Sequence, residues 1–144
     1  MKLSTRTRYA TRALLELSES PKGAPLQLKV IAARQEISVK YLEQLMVVLK
    51  SAGLVRAVRG TKGGYVLAKP AGQIRVSDVL DFLEGPVTVA ECVEDQSTCG
   101  RAVDCVVRQV WADVERAIHD VLDSVTLEDL AKKAIRKRSP DYQI

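Results

Sequence analysis

The sequence predicts a mainly α fold with a small β-hairpin wing: a helix-turn-helix, then two short strands, with one long helix in the second half. Three observations predict it. Two short amphipathic patterns between residues 27 and 51 are separated by Glu36-Ile37-Ser38, and two β-prone runs follow around Arg59-Gly60-Thr61-Lys62-Gly63-Gly64, a hairpin signal. An apolar stripe of near-heptad period then runs from Val103 to Val125. Charge divides the chain between these regions. Residues 1–70 hold 13 Lys or Arg against 4 Glu, a net of +9, and residues 71–144 hold 9 against 14 acidic residues, a net of −5. Helix-loop-helix-hairpin patterns occur in many proteins that touch no nucleic acid, so charge is what separates the readings. A basic half joined to an acidic half suits a nucleic-acid binder whose other half has a separate task. The expected division is a winged helix-turn-helix DNA-binding domain over 1–70 and a cysteine loop with a dimerisation region over 71–144. Its long helix spans about 103–124 and packs back on the first domain.

The first helix covers residues 4 to 18, with Ser4 or Thr5 as cap and Tyr9, Ala10, Ala13, Leu14 and Leu17 along one side. Arg6, Arg8 and Arg12 occupy the rest and either solvate the helix or meet phosphates. Residues 20–25 are a loop by composition. In the helix-turn-helix, Leu28, Ile31 and Ala32 share a face, and Ser38 caps the second helix. Val39, Leu42, Leu45, Met46 and Leu49 make that helix apolar on one side. Lys40, Glu43, Gln44 and Lys50 lie opposite, long enough to reach base edges or phosphates. Gly53 ends the helix with positive φ. The wing tip carries Arg59 and Lys62, well placed to grip phosphates. The candidate DNA-contacting set is therefore Arg8, Ser38, Lys40, Tyr41, Glu43, Gln44, Arg59, Gly60, Lys62 and Gly63.

Lys69-Pro70-Ala71-Gly72 is a break where the charge balance reverses. Ser77 is expected to cap a short helix from Asp78 to Glu84, closed by Gly85-Pro86, and residues 87–104 read as an irregular loop. From Val103 the apolar positions step by four, three, four, three, four and four through Val107, Val110, Val114, Ala117, Val121 and Val125. Val106, Trp111, Ile118 and Leu122 add a second face. Two apolar faces on one helix suggest dimerisation through Val107, Val110, Val114, Ile118 and Val121, against the plainer reading of an ordinary core helix. Thr126 and Asp129 form a capping box for a last helix to about Ile135, and the basic run to Arg138 is either a favourable helix C-terminus or a solvated tail.

Composition narrows the function. With aromatics at 4%, there is little material for stacking single-stranded bases. No apolar run approaches the roughly 18 to 20 residues that cross a bilayer, and the N-terminus lacks a signal-peptide core, so no membrane partner and a cytoplasmic location are expected. There, three cysteines bind metal or sense redox state rather than form a disulfide framework. Cys92, Cys99 and Cys105 fall within 14 residues, separated by gaps of six and five. Thiolates are soft ligands for zinc or iron–sulfur clusters, and gaps wider than those of zinc hairpins suit a loop around something larger. No fourth ligand stands out. His119 lies 14 positions past Cys105, about 21 Å along a continuous helix. Glu91, Glu94, Asp95 and Asp104 are nearer and offer oxygen, and Arg108 offers charge but no ligation.

Met1-Lys2-Leu3-Ser4-Thr5 through Arg8-Tyr9-Ala10, then Tyr41-Leu42-Glu43-Gln44-Leu45, Gly53-Leu54-Val55, Val58-Arg59-Gly60, Gly63-Gly64-Tyr65-Val66-Leu67 and the spaced cysteines together resemble the Rrf-two (Rrf2) family of bacterial winged-helix transcription regulators, in its iron–sulfur type. The resemblance covers about residues 1 to 135. It implies no enzymatic activity but a homodimer crossed through the long helix and bound to a palindromic double-stranded operator. It also implies an iron–sulfur cluster on Cys92, Cys99 and Cys105 that controls operator affinity. The alternative is a zinc- or thiol-based redox regulator without a cluster. The chain departs from the family's pattern at Arg108, where some cluster regulators carry histidine, and at Arg8, where others take an aspartate from the partner's first helix. Neither arginine ligates, so the fourth ligand is open. Members that also lack the downstream histidine make [4Fe-4S] the expected cluster over [2Fe-2S].

Overall fold

The computed structural model describes residues 1–139; the end of the 71–144 region, residues 140–144, lies outside the described residues. Among the described residues, seven α-helices and one hairpin follow in order. They are α1 (Thr5–Ser18), α2 (Leu28–Gln35), α3 (Val39–Ser51), β1 (Val55–Val58), β2 (Gly64–Leu67), α4 (Val76–Glu84), α5 (Glu91–Glu94), α6 (Val106–Asp123) and α7 (Leu127–Arg138). The fold is mainly helical with one antiparallel two-stranded hairpin, as expected.

Local chemistry sets the helix starts. Ser4 accepts from the Thr7 amide at 3.1 Å and Ser38 from the Tyr41 amide at 3.2 Å, the two N-caps expected of α1 and α3. At α7, the Asp129 amide donates to Thr126 Oγ1 at 3.2 Å while the Thr126 amide donates to Asp129 Oδ2 at 2.9 Å, a closed capping box. The α2–α3 turn is fixed by Glu36, left-handed at φ 54°, which lets the Ile37 amide reach back to the Ala32 carbonyl at 3.0 Å. Ile37 then drops into the core. Gly53 follows α3 with φ +71°, as its place predicted.

Leu14 of α1, Ile31 of α2, and Leu42, Met46 and Leu49 of α3 form the centre of the core, with Val55 from the wing. Ile74, Val79 and Leu127 from the second half join the same cluster. Burying one such side chain contributes roughly 1.5–3 kcal/mol, so α4 and α7 stabilise the basic half directly. They are held by two backbone hydrogen bonds, Val76 amide to Val125 carbonyl and Leu127 amide to Ile74 carbonyl, both 2.9 Å.

The hairpin pairs Val55 with Leu67 through Val58 with Gly64. Its root is tied to the segment before α2 by reciprocal bonds between Leu26 and Tyr65, at 3.0 and 2.8 Å. That contact explains Gly64, because a Cβ there would overlap the Leu26 carbonyl.

Five local expectations are corrected. Helix α4 begins at Val76, with Ser77 buried inside its first turn; Asp78 caps instead, accepting from the Arg75 amide at 2.9 Å. The 87–104 stretch is not wholly irregular, since it contains α5 and a 3-10 turn at Gln96–Thr98. The long helix starts at Val106, with Cys105 in the N-cap position, and α7 runs on to Arg138. Val39 does not line the apolar face of α3: it is 44% exposed.

Candidate nucleic-acid interface and cysteine segment

The polar side of α3 faces outward. Lys40, Glu43, Gln44 and Lys50 are exposed, while Leu42, Leu45, Met46 and Leu49 between them are buried. A helix anchored by one face over 13 residues presents the other as a rigid row of side chains. Ser38 sits at its start, its oxygen engaged by the Tyr41 amide. Tyr41 is half-buried, its ring edge-on to Tyr9 at 6.0 Å between centroids, which ties the start of α3 to α1.

The wing tip presents Arg59, Gly60 and Lys62, all exposed. Gly63 is buried, and its amide donates to the Gly60 carbonyl at 3.0 Å. A Cβ on Gly63 would overlap the Val58 carbonyl. Its contribution is therefore the shape of the tip that carries Arg59 and Lys62. Arg8 is exposed on α1, with Nη2 donating to Thr5 Oγ1 at 3.3 Å. Arg12, read as either solvation or phosphate contact, is neither: it donates to Gln35 Oε1 at 2.7 Å and the Gln35 carbonyl at 2.9 Å, and lies 5.4 Å over the Tyr9 ring. It closes the C-terminus of α2 and locks α1 to the helix-turn-helix.

The cysteines occupy one segment beside α6. Cys92 lies in α5, Cys99 follows the 3-10 turn, and Cys105 stands at the start of α6; all three are free thiols. Cys99 is exposed and the other two half-buried. Arg108 donates through Nε to the Cys92 carbonyl at 2.6 Å and through Nη2 to the Val93 carbonyl at 3.3 Å. Two helical turns on, Glu115 accepts from the Val89 amide at 3.1 Å. These two side chains share one face of α6 and fasten the 89–93 stretch to it. Arg108 thus ties down the segment's backbone. Neither staple was legible beforehand, because each partner is a backbone group with no side-chain signature.

The donor types fit an iron–sulfur cluster; their placement does not. Among the described residues no three His, Cys, Asp or Glu side chains come together as a ligand group. Cys105 borders an open cleft with Arg101, Asp104 and Val107, but the other two thiols do not line it.

One side of α6 packs on α4 and α5, leaving Arg108, Ala112, Glu115, Ile118, His119 and Leu122 half-buried, and the other side is open. None of the helix's 18 residues is buried; Val107, Val110, Val114 and Val121 are exposed at 51, 53, 40 and 64%. Ile118 differs from these four in being half-buried. Trp111 and Val106, expected on the second face, are exposed as well. Among the described residues no helix is long and apolar enough to cross a membrane.

A family model described as an iron-dependent transcriptional regulator, Rrf2, matches residues 3–133. Protein rrf2 of Nitratidesulfovibrio vulgaris is 42% identical over 134 residues, 93% of this chain and 89% of that one. IscR of T. potens has a solved structure with a TM-score of 0.79 at 38% identity, covering 98% of this chain and 93% of its own. CymR, the global cysteine regulator of B. subtilis, superposes equally well, TM-score 0.79 at 40% identity, covering 92 and 98%. These relatives are transcription regulators and not enzymes. With its helix-turn-helix, wing and full-length likeness, the chain belongs to the Rrf2 family of DNA-binding transcription regulators.

Proposed function

We propose that the chain is a cytoplasmic, homodimeric regulator whose affinity for operator DNA is set by the chemical state of Cys92, Cys99 and Cys105. The observation that carries this is the double staple. Arg108 and Glu115 attach the cysteine segment to α6, the helix whose valine face is left exposed by the described residues. A second copy laid against Val107, Val110, Val114 and Val121, with Ile118 at the edge of the contact, would bury that face. Any change at the cysteines then reaches the place where two subunits meet. On DNA, α3 enters the major groove with Lys40, Glu43 and Gln44 toward the bases, and the wing tip's Arg59 and Lys62 take phosphates. Arg8, Ser38 and Tyr41 flank that surface, and Gly60 and Gly63 shape the tip. Two such units related by a two-fold axis call for a palindromic operator. In this reading residues 1–70 serve DNA, and 71–144 serve sensing and pairing while lending α4 and α7 to the shared core.

Two chemistries at the cysteines are supported. Three soft thiolates and the likeness to IscR favour an iron–sulfur cluster, which would supply a redox- and iron-sensitive centre. The segment must close around it, and nothing in the donor set selects [4Fe-4S] over [2Fe-2S] or names a fourth ligand. The second, direct thiol oxidation or zinc without a cluster, is favoured by the free, ungathered thiols and the likeness to CymR. Anaerobic purification separates them. Brown protein with visible absorbance and acid-labile sulfide supports the cluster; colourless protein, with or without one zinc, supports the thiol reading. Cysteines whose replacement leaves DNA affinity unchanged in every state would overturn both.

A further inference from the structure

The outward face of α3 carries two valines that the core does not use. Val39, in the first helical position, is 44% exposed, and Val47 is 68% exposed. They bracket Glu43 and Gln44 in one stripe, spaced four and three or four residues apart. A single exposed apolar side chain is ordinary. Two on one stripe of this helix are not, because valine loses rotamer freedom in a helix and a solvated position favours Ala, Lys or Glu. The B-DNA major groove offers one apolar group to such a surface, the C5-methyl of thymine.

We infer that Val39 and Val47 read thymine methyl groups on either side of the bases met by Glu43 and Gln44. This rests on the reading of α3 as the helix that enters the major groove. Charge complementarity supports DNA as the occupant, since Lys40 and Lys50 edge the stripe, Arg59 and Lys62 stand exposed on the adjoining wing, and residues 1–70 carry a net +9. Eight residues of helix span about 12 Å. At 3.4 Å per base pair that is about three to four pairs. Each operator half-site should therefore contain two thymines at that separation, with the polar readout between them.

The test uses the full-length chain and duplexes selected from a random-sequence library. Each thymine of the half-site is replaced in turn by deoxyuridine, which removes only the methyl. Two positions, three to four pairs apart, should each lose about fourfold in affinity, the value of one buried methyl. Val47→Ala should abolish the sensitivity at one position and Val39→Ala at the other, with the helical circular dichroism signal unchanged. Deoxyuridine without effect at every position, or effects that persist in full in both variants, would overturn the inference. Glu43→Ala and Gln44→Ala keep the two levels apart. If they shift the selected sequences while the valine variants do not, only the methyl contacts are wrong. If neither shifts them, α3 is not the reading helix and the inference falls with that reading.

Discussion

Arg59 and Lys62 stand exposed at the wing tip, on a turn whose shape depends on the buried Gly63. Side chains so placed position a protein on DNA without reading sequence. Replacing either with Ala should weaken binding to operator and random DNA by similar factors, and reduce the slope of log affinity against log salt by about 1 per lost contact. Fluorescence anisotropy across a salt series measures both. A variant that kept its affinity for random DNA and lost only operator preference would mean that the wing reads bases. At this scale the sequence was informative wherever chemistry is local. Ser4, Ser38 and the Thr126–Asp129 pair cap helices because each needs only a neighbour three residues away. Val39 was misjudged because spacing alone admits it to the apolar face of α3. A side chain at the first helical position covers the turn before the helix rather than the helix's own packed face, and Val39 stays 44% exposed. Val47 was silent for a simpler reason: it falls between Met46 and Leu49 and outside their stripe.

Among the elements, the contact of α1 with α4 has a pH signature. Glu84, at the end of α4, accepts from the Ser4 amide at 2.9 Å and the Thr7 hydroxyl at 2.5 Å. Hydrogen bonding from Ser4, then from Thr7, holds its carboxyl below the usual glutamate range. A depressed folded value means the contribution is present above the unfolded carboxylate value and lost as pH falls through the folded one. The α1–α4 contact should therefore weaken below about pH 4. Thermal melts between pH 7 and 3 should show a shallower acid decline in Glu84→Gln than in the parent; equal declines would contradict the linkage. Asp129 and Asp95 are held low by their own cap bonds and keep the variant's decline from vanishing. Helices α1, α2, α3 and α6 were legible from periodicity, and α7 from the Thr126–Asp129 capping box. Helix α5 was not, because four residues carry no period and its position depends on Arg108, sixteen residues away.

At the level of the whole molecule, the polarised charge, the two-faced α3 and the apolar stripe of α6 were legible in the chain, whereas the gathering of α4 and α7 onto the basic half's core was not. That packing depends on strand-like bonds between residues 74–76 and 125–127, which no local pattern announces. The exposed valine face is the proposed subunit contact. Val114→Glu should leave the helical content intact and raise the dimer dissociation constant by at least tenfold, measured by sedimentation; an unchanged dimer would place the contact elsewhere. Dimer, cysteine segment and DNA are then linked. A ligand at the cysteines shifts DNA affinity only by its differential preference for two subunit arrangements, and DNA must change cofactor retention or thiol reactivity by the same factor. The most direct measurement titrates one selected operator, at fixed salt, with four preparations: protein isolated without air, reduced metal-free protein, protein oxidised at its thiols, and Cys99→Ala. The account predicts affinities that separate by about 5- to 150-fold between states, or ~1 to 3 kcal/mol, with Cys99→Ala fixed at one of them whatever its treatment. Equal affinities for all four, on every operator selected, would contradict it.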